Sequence, residues 1–333
     1  MPRLNETPLS VLDLAPIRQN GSAADTFDDS VALARLAERR GFERFWLAEH
    51  HSIDGIASAA TSVLIGHIAE QTSRLRVGSG GIMLPNHPPL VIAEQFGTLE
   101  TLYPGRIDLG LGRAPGADGA TMAALRRDTF AGADDFPQRL AELAGYLDDE
   151  RPGQRVRAVP GQGTNVPLWL LGSSDYSARL AAREGLPFAF AAQFAPARLH
   201  EALRVYRDNF QPSARLEAPY AMVGLPVVAA DSDDQADYLA STARQKFLGL
   251  IRGQRILAQP PTEHLDASPL ERSQLEQFLG AAVIGGPQTV REGLEDFLAS
   301  TGADELMLHT DVYALEDRLR SYEIVADLSQ AGE

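Results

Sequence analysis

Short apolar segments alternate along the chain with longer segments whose apolar residues recur at helical spacing. This alternation is typical of parallel βα units, in which a helix follows each strand. In segment 28–40, for example, Val31, Leu33 and Leu36 belong to one apolar stripe, and Gly41 is placed to end the helix. The apolar runs predict eight strands, at 9–15, 44–49, 75–84, 107–111, 167–171, 187–192, 221–229 and 305–309.

Helical segments separate these strands, at 28–40, 59–71, 89–102, 174–184, 196–210, 234–250, 290–300 and 314–328. Eight strands with eight helices predict an α/β fold, a closed (β/α)8 TIM barrel, and 333 residues is a typical length for it. An open, doubly wound sheet is the alternative architecture. No low-complexity linker divides the chain, so we expect a single domain over residues 1–333.

Two connections are longer than is usual in such a barrel: insertions of about 113–166 after the fourth strand and about 250–281 after the seventh. The first contains a further predicted helix around 136–147. The second is broken by prolines, and because long βα loops often carry function, we interpret it as a lid. The alternative is an ordered insertion that covers only the outside of the barrel.

Composition narrows the range of partners. The net charge of −15 is spread along the chain without a basic block, which disfavours nucleic acid and anionic membranes. No run of 18 or more apolar residues and no signal-peptide pattern occurs, so we expect a cytoplasmic protein with a small-molecule substrate. The absence of cysteine excludes thiolate ligands and a cysteine nucleophile.

Three adjacent ionisable residues, Glu49, His50 and His51, stand at the end of the second predicted strand. Consecutive strand side chains point to opposite faces, so His50 and His51 cannot both easily reach one point inside the barrel. This geometry weakens a two-histidine metal site. One histidine facing the mouth could act as a general acid or base, and structural hydrogen bonding is the alternative.

Two other barrel chemistries find little support. A metal hydrolase needs ligands from several strand ends, and the remaining candidates, such as His87 and His309, are scattered, so no metal is expected. Schiff-base catalysis needs a lysine at the mouth, whereas the single lysine, Lys246, lies in a predicted helix.

Glycines interrupt the third predicted strand at Gly78, Gly80 and Gly81. A flat ring could approach the backbone there, and a bulge required by barrel curvature is the alternative. Segment 110–116 superficially suggests a dinucleotide fingerprint, but Pro115 replaces the third glycine, so a Rossmann site is not supported.

Two strand ends could bind an anion. Arg113 stands in the glycine-rich loop after the fourth strand and could bind a phosphate, with an ion pair to Asp108 as the alternative. Ser173 and Ser174 open the helix after the fifth strand, where hydroxyls and free backbone N–H groups bind anions. Ser174 could equally be an ordinary helix N-cap.

Four motifs together resemble the bacterial luciferase-like flavin monooxygenases, in their compact single-chain subgroup. They are residues 46–51 (WLAEHH), 78–85 (GSGGIMLP), 103–113 (YPGRIDLGLGR) and 171–174 (LGSS). The resemblance extends from residue 9 to about 328. It implies a (β/α)8 barrel, reduced FMN as electron carrier, molecular oxygen as co-substrate, and a homodimer.

By position, the resemblance implies that His50 is the catalytic acid/base beside the flavin. Gly80 and Gly81 match a pair that can be joined by a non-proline cis peptide against the flavin ring. The implied phosphate ligands are Arg113, Ser174 and Ser177, with Arg139 in the first insertion as a further candidate.

The implied reaction is monooxygenation, in which reduced FMN and O2 form a C4a-(hydro)peroxyflavin that oxygenates a small organic substrate. Luciferase proper has a cysteine near the flavin where this chain has Gly112, so neither light emission nor long-chain aldehyde use is expected. Without a nicotinamide fingerprint, the chain would receive reduced FMN from a separate flavin reductase. The alternatives are deazaflavin (F420)-dependent hydride transfer and a non-catalytic flavin-binding protein.

Overall fold

Strands and helices alternate through the residues that the computed structural model describes, 3–114, 119–125, 135–254 and 256–331. The strands are β1 (Leu9–Asp13), β2 (Arg44–Leu47), β3 (Arg76–Met83), β4 (Ile107–Gly112), β5 (Leu168–Gly172), β6 (Phe188–Ala191), β7 (Ala221–Ala229), β8 (Val283–Gly285) and β9 (Glu305–His309). The eight predicted strands are all present, and their ends agree to within two residues. The short strand β8 was not predicted.

Eight of these strands close a barrel, in the order β6-β5-β4-β3-β2-β1-β9-β7, because β6 also pairs with β7. The pairings around the ring are parallel. The predicted TIM barrel is therefore confirmed, and the open-sheet alternative is wrong, since an open sheet would leave β6 and β7 as separate edges. Strand β8 pairs only with the last three residues of β7 and lies outside the ring.

Helices surround the barrel. They are α1 (Ala23–Arg39), α2 (Thr61–Glu70), α3 (Pro89–Leu102), α4 (Gly119–Ala124), α5 (Phe136–Leu147), α6 (Asp175–Glu184), α7 (Leu199–Asp208), α8 (Asp233–Ile251), α9 (Pro269–Phe278), α10 (Pro287–Thr301) and α11 (Leu315–Gln330). Helix α1 begins five residues earlier than predicted, because Ser22 and Asp25 form a reciprocal capping box ahead of the apolar stripe. Within the described ranges, no helix is long and apolar enough to cross a membrane.

Side chains fill the barrel interior at the N-terminal ends of the strands. At that end Arg44 binds both Asp108 (2.8 Å) and Glu305 (3.1 Å), two carboxylates with no exposed surface. Above this network the rings of Trp46 and Trp169 pack edge to face, with centroids 5.2 Å apart. Because polar and aromatic layers close the lower end, the space available for a ligand lies at the C-terminal ends of the strands.

Candidate active site

A cavity of about 400 Å³ opens at the C-terminal ends of the barrel strands, and its wall is mainly apolar. This volume is typical of small-molecule sites. The predicted site residues that line it are His50, Gly80, Gly81, Arg113, Ser174 and Ser177. The barrel thus brings together every predicted site residue except Arg139, although these residues follow four different strands.

His50 lies in the loop after β2, and its side chain lines the cavity. Its neighbour His51 instead bonds to Glu49, with 2.7 Å between Nε2 and Oε1. The two imidazoles therefore face different surroundings, as the alternation of side chains along a strand predicted. Burial in the apolar wall, reinforced by the nearby Lys246 ammonium, lowers the pKa of His50 from 6.5 to about 4. The imidazole is consequently neutral at physiological pH.

Glu49 is buried at the centre of a hydrogen-bond network. Its carboxylate accepts hydrogen bonds from His51, from His87 (2.9 Å), from the Met83 backbone N–H (2.9 Å) and from Asn86. Burial acts to raise the pKa of Glu49, but these bonds, led by that of His87, hold it below its usual value. His87 was expected from the sequence to lie apart from the other ionisable residues. It instead joins the loop after β3 to the loop that carries His50.

The same three side chains form a cluster with metal-ligand chemistry. The ligand atoms of Glu49, His51 and His87 all lie within 4.8 Å of one another. Both imidazoles are already hydrogen-bonded to the carboxylate, and His51 Nε2 and His87 Nε2 share its Oε1. The observed contacts therefore describe a positioning network for the His50 loop.

Gly80 and Gly81 form part of the cavity wall on β3, and the peptide bond between them is cis, as the resemblance implies. The pairing of β3 with β4 shifts register between Ser79 and Ile82, so the predicted bulge is present as well. A Cβ on Gly80 would lie 2.8 Å from Leu12 Cδ1, and one on Gly81 would lie 2.8 Å from a backbone oxygen of β4. The β4 backbone therefore requires glycine at position 81, whereas a side chain at position 80 would press on Leu12 and Trp46.

The Arg113 guanidinium stacks on Tyr176, with Cζ 4.0 Å from the ring centroid. Asp108, the alternative partner considered from the sequence, lies at the other end of β4 and binds Arg44 and Arg76 instead. Among the residues that the structure describes, none forms an ion pair with Arg113. Its charge is thus oriented by an aromatic ring, and no carboxylate of the described residues is paired with it.

Two serines lie beside Arg113 at the start of α6. Ser174 is the N-cap residue, yet its hydroxyl makes no capping hydrogen bond, and Ser177 lies buried in the first turn. Both line the cavity together with Arg113. A guanidinium, two hydroxyls and the backbone N–H groups of a helix N-terminus have the chemistry that suits an anion, and we name this set of groups the anion-binding corner.

Arg139 is not part of this corner. It lies on α5, where its Nε is 2.7 Å from Asp135 Oδ2, one helical turn away. Its side chain does not line the cavity. The register of the first insertion was the weak point of this prediction, and residues 115–118 and 126–134 of that insertion lie outside the described ranges.

Sequence reasoning missed a second polar group in the cavity wall. Lys246 on α8 lines the cavity, and its Nζ lies 2.7 Å from Asp311 Oδ2. Asp311 also lies 3.3 Å from His309 Nε2. The expectation that a lysine in a helix would lie away from the mouth was wrong, because a helix of the outer ring can still direct a long side chain into the mouth. The usable signal was that the chain has one lysine in 333 residues.

The second insertion reaches the mouth of the barrel. Leu250, Gln254 and Ile256 line the cavity, and Ala258 pairs with Arg18 after β1. The insertion therefore contributes to the wall of the cavity, which the lid interpretation requires.

Gln193, after β6, also lines the cavity, and among the described residues its buried Oε1 has no hydrogen-bond partner.

Comparison with known proteins agrees with this geometry. Residues 7–305 match the sequence profile of the family described as luciferase-like monooxygenase. The chain belongs to this family. It is 54% identical over 323 residues to a luciferase-like monooxygenase of Escherichia coli (strain K12), covering 96% of each chain. It is 31% identical over 329 residues to the N-acetyl-S-alkylcysteine monooxygenase of Bacillus subtilis (strain 168), covering 96% of this chain and 97% of that protein.

Several solved structures share the fold. Apo-MsnO8 is 38% identical and superposes with a TM-score of 0.90, covering 97% of this chain and 98% of that one. More distant barrels, at TM-scores of 0.72, include the oxygenating constituent of 3,6-diketocamphane monooxygenase with FMN (18% identical) and an alcohol dehydrogenase with an F420-acetone adduct (13% identical). At such identities the likeness shows the fold alone, and the cofactor has to be argued from the site.

Proposed function

We propose that this luciferase-like protein is an FMN-dependent monooxygenase that uses reduced FMN and O2 to oxygenate a small organic substrate. The observation that carries the proposal is the placement, in one apolar cavity, of an anion-binding corner, a side-chain-free strand segment and a neutral imidazole. The corner is Arg113 with Ser174 and Ser177, the strand segment is Gly80–Gly81, and the imidazole is His50. The monooxygenase family assignment supports the reaction class.

The residues present fit a flavin mononucleotide. Arg113, Ser174 and Ser177 would hold its phosphate, and the backbone of Gly80 and Gly81, which forms part of the cavity wall, would face its ring system. The buried Gln193 Oε1 offers an acceptor for an N–H donor of a bound molecule. When bound, reduced FMN supplies the two electrons that activate molecular oxygen.

Residues of the chain would exclude water from the reaction and transfer protons during it. The apolar wall and the second insertion exclude water, which suppresses wasteful reduction of oxygen to hydrogen peroxide. His50, kept neutral by burial, can accept a proton through an imidazole nitrogen and later return it. Glu49 would take no part in the proton transfer itself. It is a positioning residue, because its hydrogen bonds hold the loop that carries His50.

Two partners complete the proposal. A separate flavin reductase would supply reduced FMN, since the sequence lacks a nicotinamide fingerprint. A second copy of the chain would cover α2 and α3, where Val63 is 69% and Leu102 is 63% exposed. Light scattering during size-exclusion chromatography tests the dimer, and a monomer at micromolar concentration would contradict it.

Anaerobic titration with reduced FMN, followed by mixing with oxygen, tests the central proposal. We expect saturable binding of reduced FMN and a reoxidation trace slower than that of free FMN. Failure to bind, or a trace identical with that of the free flavin, would contradict it. Parallel titration with reduced F420 tests the hydride-transfer alternative, which requires F420 to bind more tightly than FMN. Tight binding of oxidised FMN, with turnover indifferent to His50→Ala, would indicate a flavin-binding protein.

A further inference from the structure

A second polar group faces the anion-binding corner across the mouth. Lys246, which reaches in from α8, lines the cavity beside His309 and Asp311 at the end of β9, whereas Arg113 follows β4. In the ring of eight strands, β4 and β9 are four positions apart and therefore diametrically opposite. A cofactor whose phosphate occupied the Arg113 corner would leave the Lys246 group to the substrate.

Lys246 is held ready to donate hydrogen bonds. Its side chain is 19% exposed, and Asp311 is its single hydrogen-bond partner among the residues that the structure describes. An ammonium carries three N–H donors, so donors remain for a ligand. The same helix contributes Ala243, Phe247 and Leu250 to the wall, which makes Lys246 a polar point on an apolar surface.

The charge of this group limits what it can bind. Asp311 is buried, and although burial alone would raise its pKa, Lys246 and His309 hold it far below the usual value. The carboxylate is therefore ionised and neutralises the ammonium. A substrate carboxylate would place a second anion on one cation in an apolar wall, where an uncompensated charge is costly. A neutral oxygen acceptor can take a donor without adding charge.

We propose that Lys246, oriented by Asp311, is the specificity-determining residue that binds a neutral oxygen acceptor, such as a carbonyl group, on an otherwise apolar substrate. The proposal rests on the proposed function, because it assigns the opposite corner of the same cavity to FMN. It excludes substrates whose carboxylate would have to bind at Lys246. Asp311 acts through Lys246 and is a positioning residue.

Three molecules of similar shape test the proposal: acetophenone as the neutral carbonyl, ethylbenzene as its apolar counterpart and benzoate as the anion. Each is titrated into the FMN-loaded full chain labelled with ¹³C and ¹⁵N lysine. Because Lys246 is the single lysine of the chain, the one NMR signal from a lysine side chain reports contact of the probe with Lys246. We expect acetophenone to shift the lysine signal and to bind roughly tenfold more weakly to Lys246→Met, as loss of a charged hydrogen bond predicts. Ethylbenzene should bind the two proteins equally.

A second variant, Asp311→Asn, tests the effect of charge at Lys246. Asp311→Asn leaves the ammonium unneutralised, so benzoate should bind this variant more tightly than it binds the unmodified chain. Benzoate binding the unmodified chain more tightly than acetophenone, or equal losses of acetophenone and ethylbenzene in Lys246→Met, would overturn the proposal. If Asp311→Asn does not fold, the Lys246→Met comparison still decides. Failure to load FMN at the outset would count against the proposed function and is seen before any probe is added.

Discussion

His50 shows how the surroundings of one residue set its chemistry. Burial disfavours its charged form, the Lys246 ammonium adds repulsion, and Glu49 offsets part of both effects. The free protein therefore presents a neutral imidazole throughout the physiological range. A neutral ring can accept a proton during a reaction, whereas an imidazolium could only donate one.

The first prediction concerns the pKa of His50. Carbon-detected histidine NMR, with the His50 signal assigned by its loss in His50→Gln, should give a midpoint near 4 in the free protein. Lys246→Met removes a positive neighbour and should raise this midpoint toward 6.5. Because the folded chain binds this proton less readily than the unfolded chain, His50 lowers stability as the pH falls from 6.5 toward 4. A midpoint at or above 6.5 would contradict the assignment of His50 to the cavity wall.

The second prediction concerns the phosphate corner. Arg113→Met should weaken FMN binding by roughly tenfold to a hundredfold, the usual effect of losing hydrogen bonds to a charged group. Riboflavin, which lacks the phosphate, should lose little affinity in the same variant. Fluorescence titration of both flavins measures the two effects, and Arg113→Lys serves as a charge-preserving control. Equal weakening of FMN and riboflavin would show that Arg113 acts through packing on Tyr176 rather than through phosphate.

At the residue scale, the sequence predicted the groups that follow strands and missed those directed in from helices. Glu49, His50 and Arg113 each stand directly after an apolar run, so their position at the mouth follows from the barrel. Lys246 lies in the middle of α8, and its direction depends on how that helix packs on the barrel, which helical periodicity does not specify. Its partner Asp311 is 65 residues away along the chain.

Among the elements, long periodic segments were predicted better than short ones. Helix α3 has the predicted bounds, because Pro89 and Leu102 limit a clear apolar pattern. Strand β8 has three residues and pairs only with the end of β7, so it leaves no alternation that could be read from the sequence. Helix α9 was missed because prolines suggested a broken segment, although proline at the first helical turn is favourable and Ser268 caps the helix.

The third prediction belongs to the loops after β2 and β3, which Glu49 holds together. Glu49→Gln replaces an acceptor of several hydrogen bonds by a neutral amide, and we expect a loss of about 2 kcal/mol in the free energy of unfolding, as for a buried charged hydrogen bond. Turnover should fall further than FMN affinity, since the His50 loop shifts while the phosphate corner does not. Urea unfolding measures the loss of stability, and oxygen uptake with a flavin reductase, compared with FMN titration, measures the loss of turnover against that of affinity.

A matched control is Glu276→Gln on α9, where the glutamate is exposed. This variant should change stability by less than about 0.5 kcal/mol, as surface substitutions usually do. Equal stability of the Glu49 and Glu276 variants would show that the network around Glu49 contributes little to the fold.

For the whole molecule, the count of βα units predicted a closed barrel, but the contacts that hold it shut join distant parts of the chain. Asp13 at the end of β1 binds Arg318 on α11 at 2.9 Å, and it also accepts a hydrogen bond from Ser30 on α1. Asp13 and Arg318 are 305 residues apart in sequence. No local pattern could have paired them, because Asp13 is a lone charged residue in a mainly apolar strand and Arg318 is one of several charged residues in the first turns of α11.

The fourth prediction follows from this pair. Both side chains are buried, so Asp13→Asn leaves the Arg318 charge without its partner and should cost about 3–5 kcal/mol of unfolding free energy. The exposed pair of Asp231 with Arg320, on the same helix α11, is the control, and Asp231→Asn should cost less than about 1 kcal/mol. Arg318 can also be removed. The double variant Asp13→Asn with Arg318→Met should lose less unfolding free energy than the two single variants added together, because no unpaired charge remains.

The pH dependence of stability provides an independent check of the same pair. Burial acts to raise the pKa of Asp13, but Arg318 and Ser30 outweigh it and hold the pKa below its ordinary value of 3.8. A carboxylate with a lowered pKa stabilises the fold above the unfolded pKa, and this contribution is lost as the pH falls through the folded pKa. The stability difference between the unmodified chain and Asp13→Asn should therefore be constant at neutral pH and shrink below about pH 4. A difference that stayed constant down to pH 3 would mean that the charge of Asp13 does not stabilise the closed barrel.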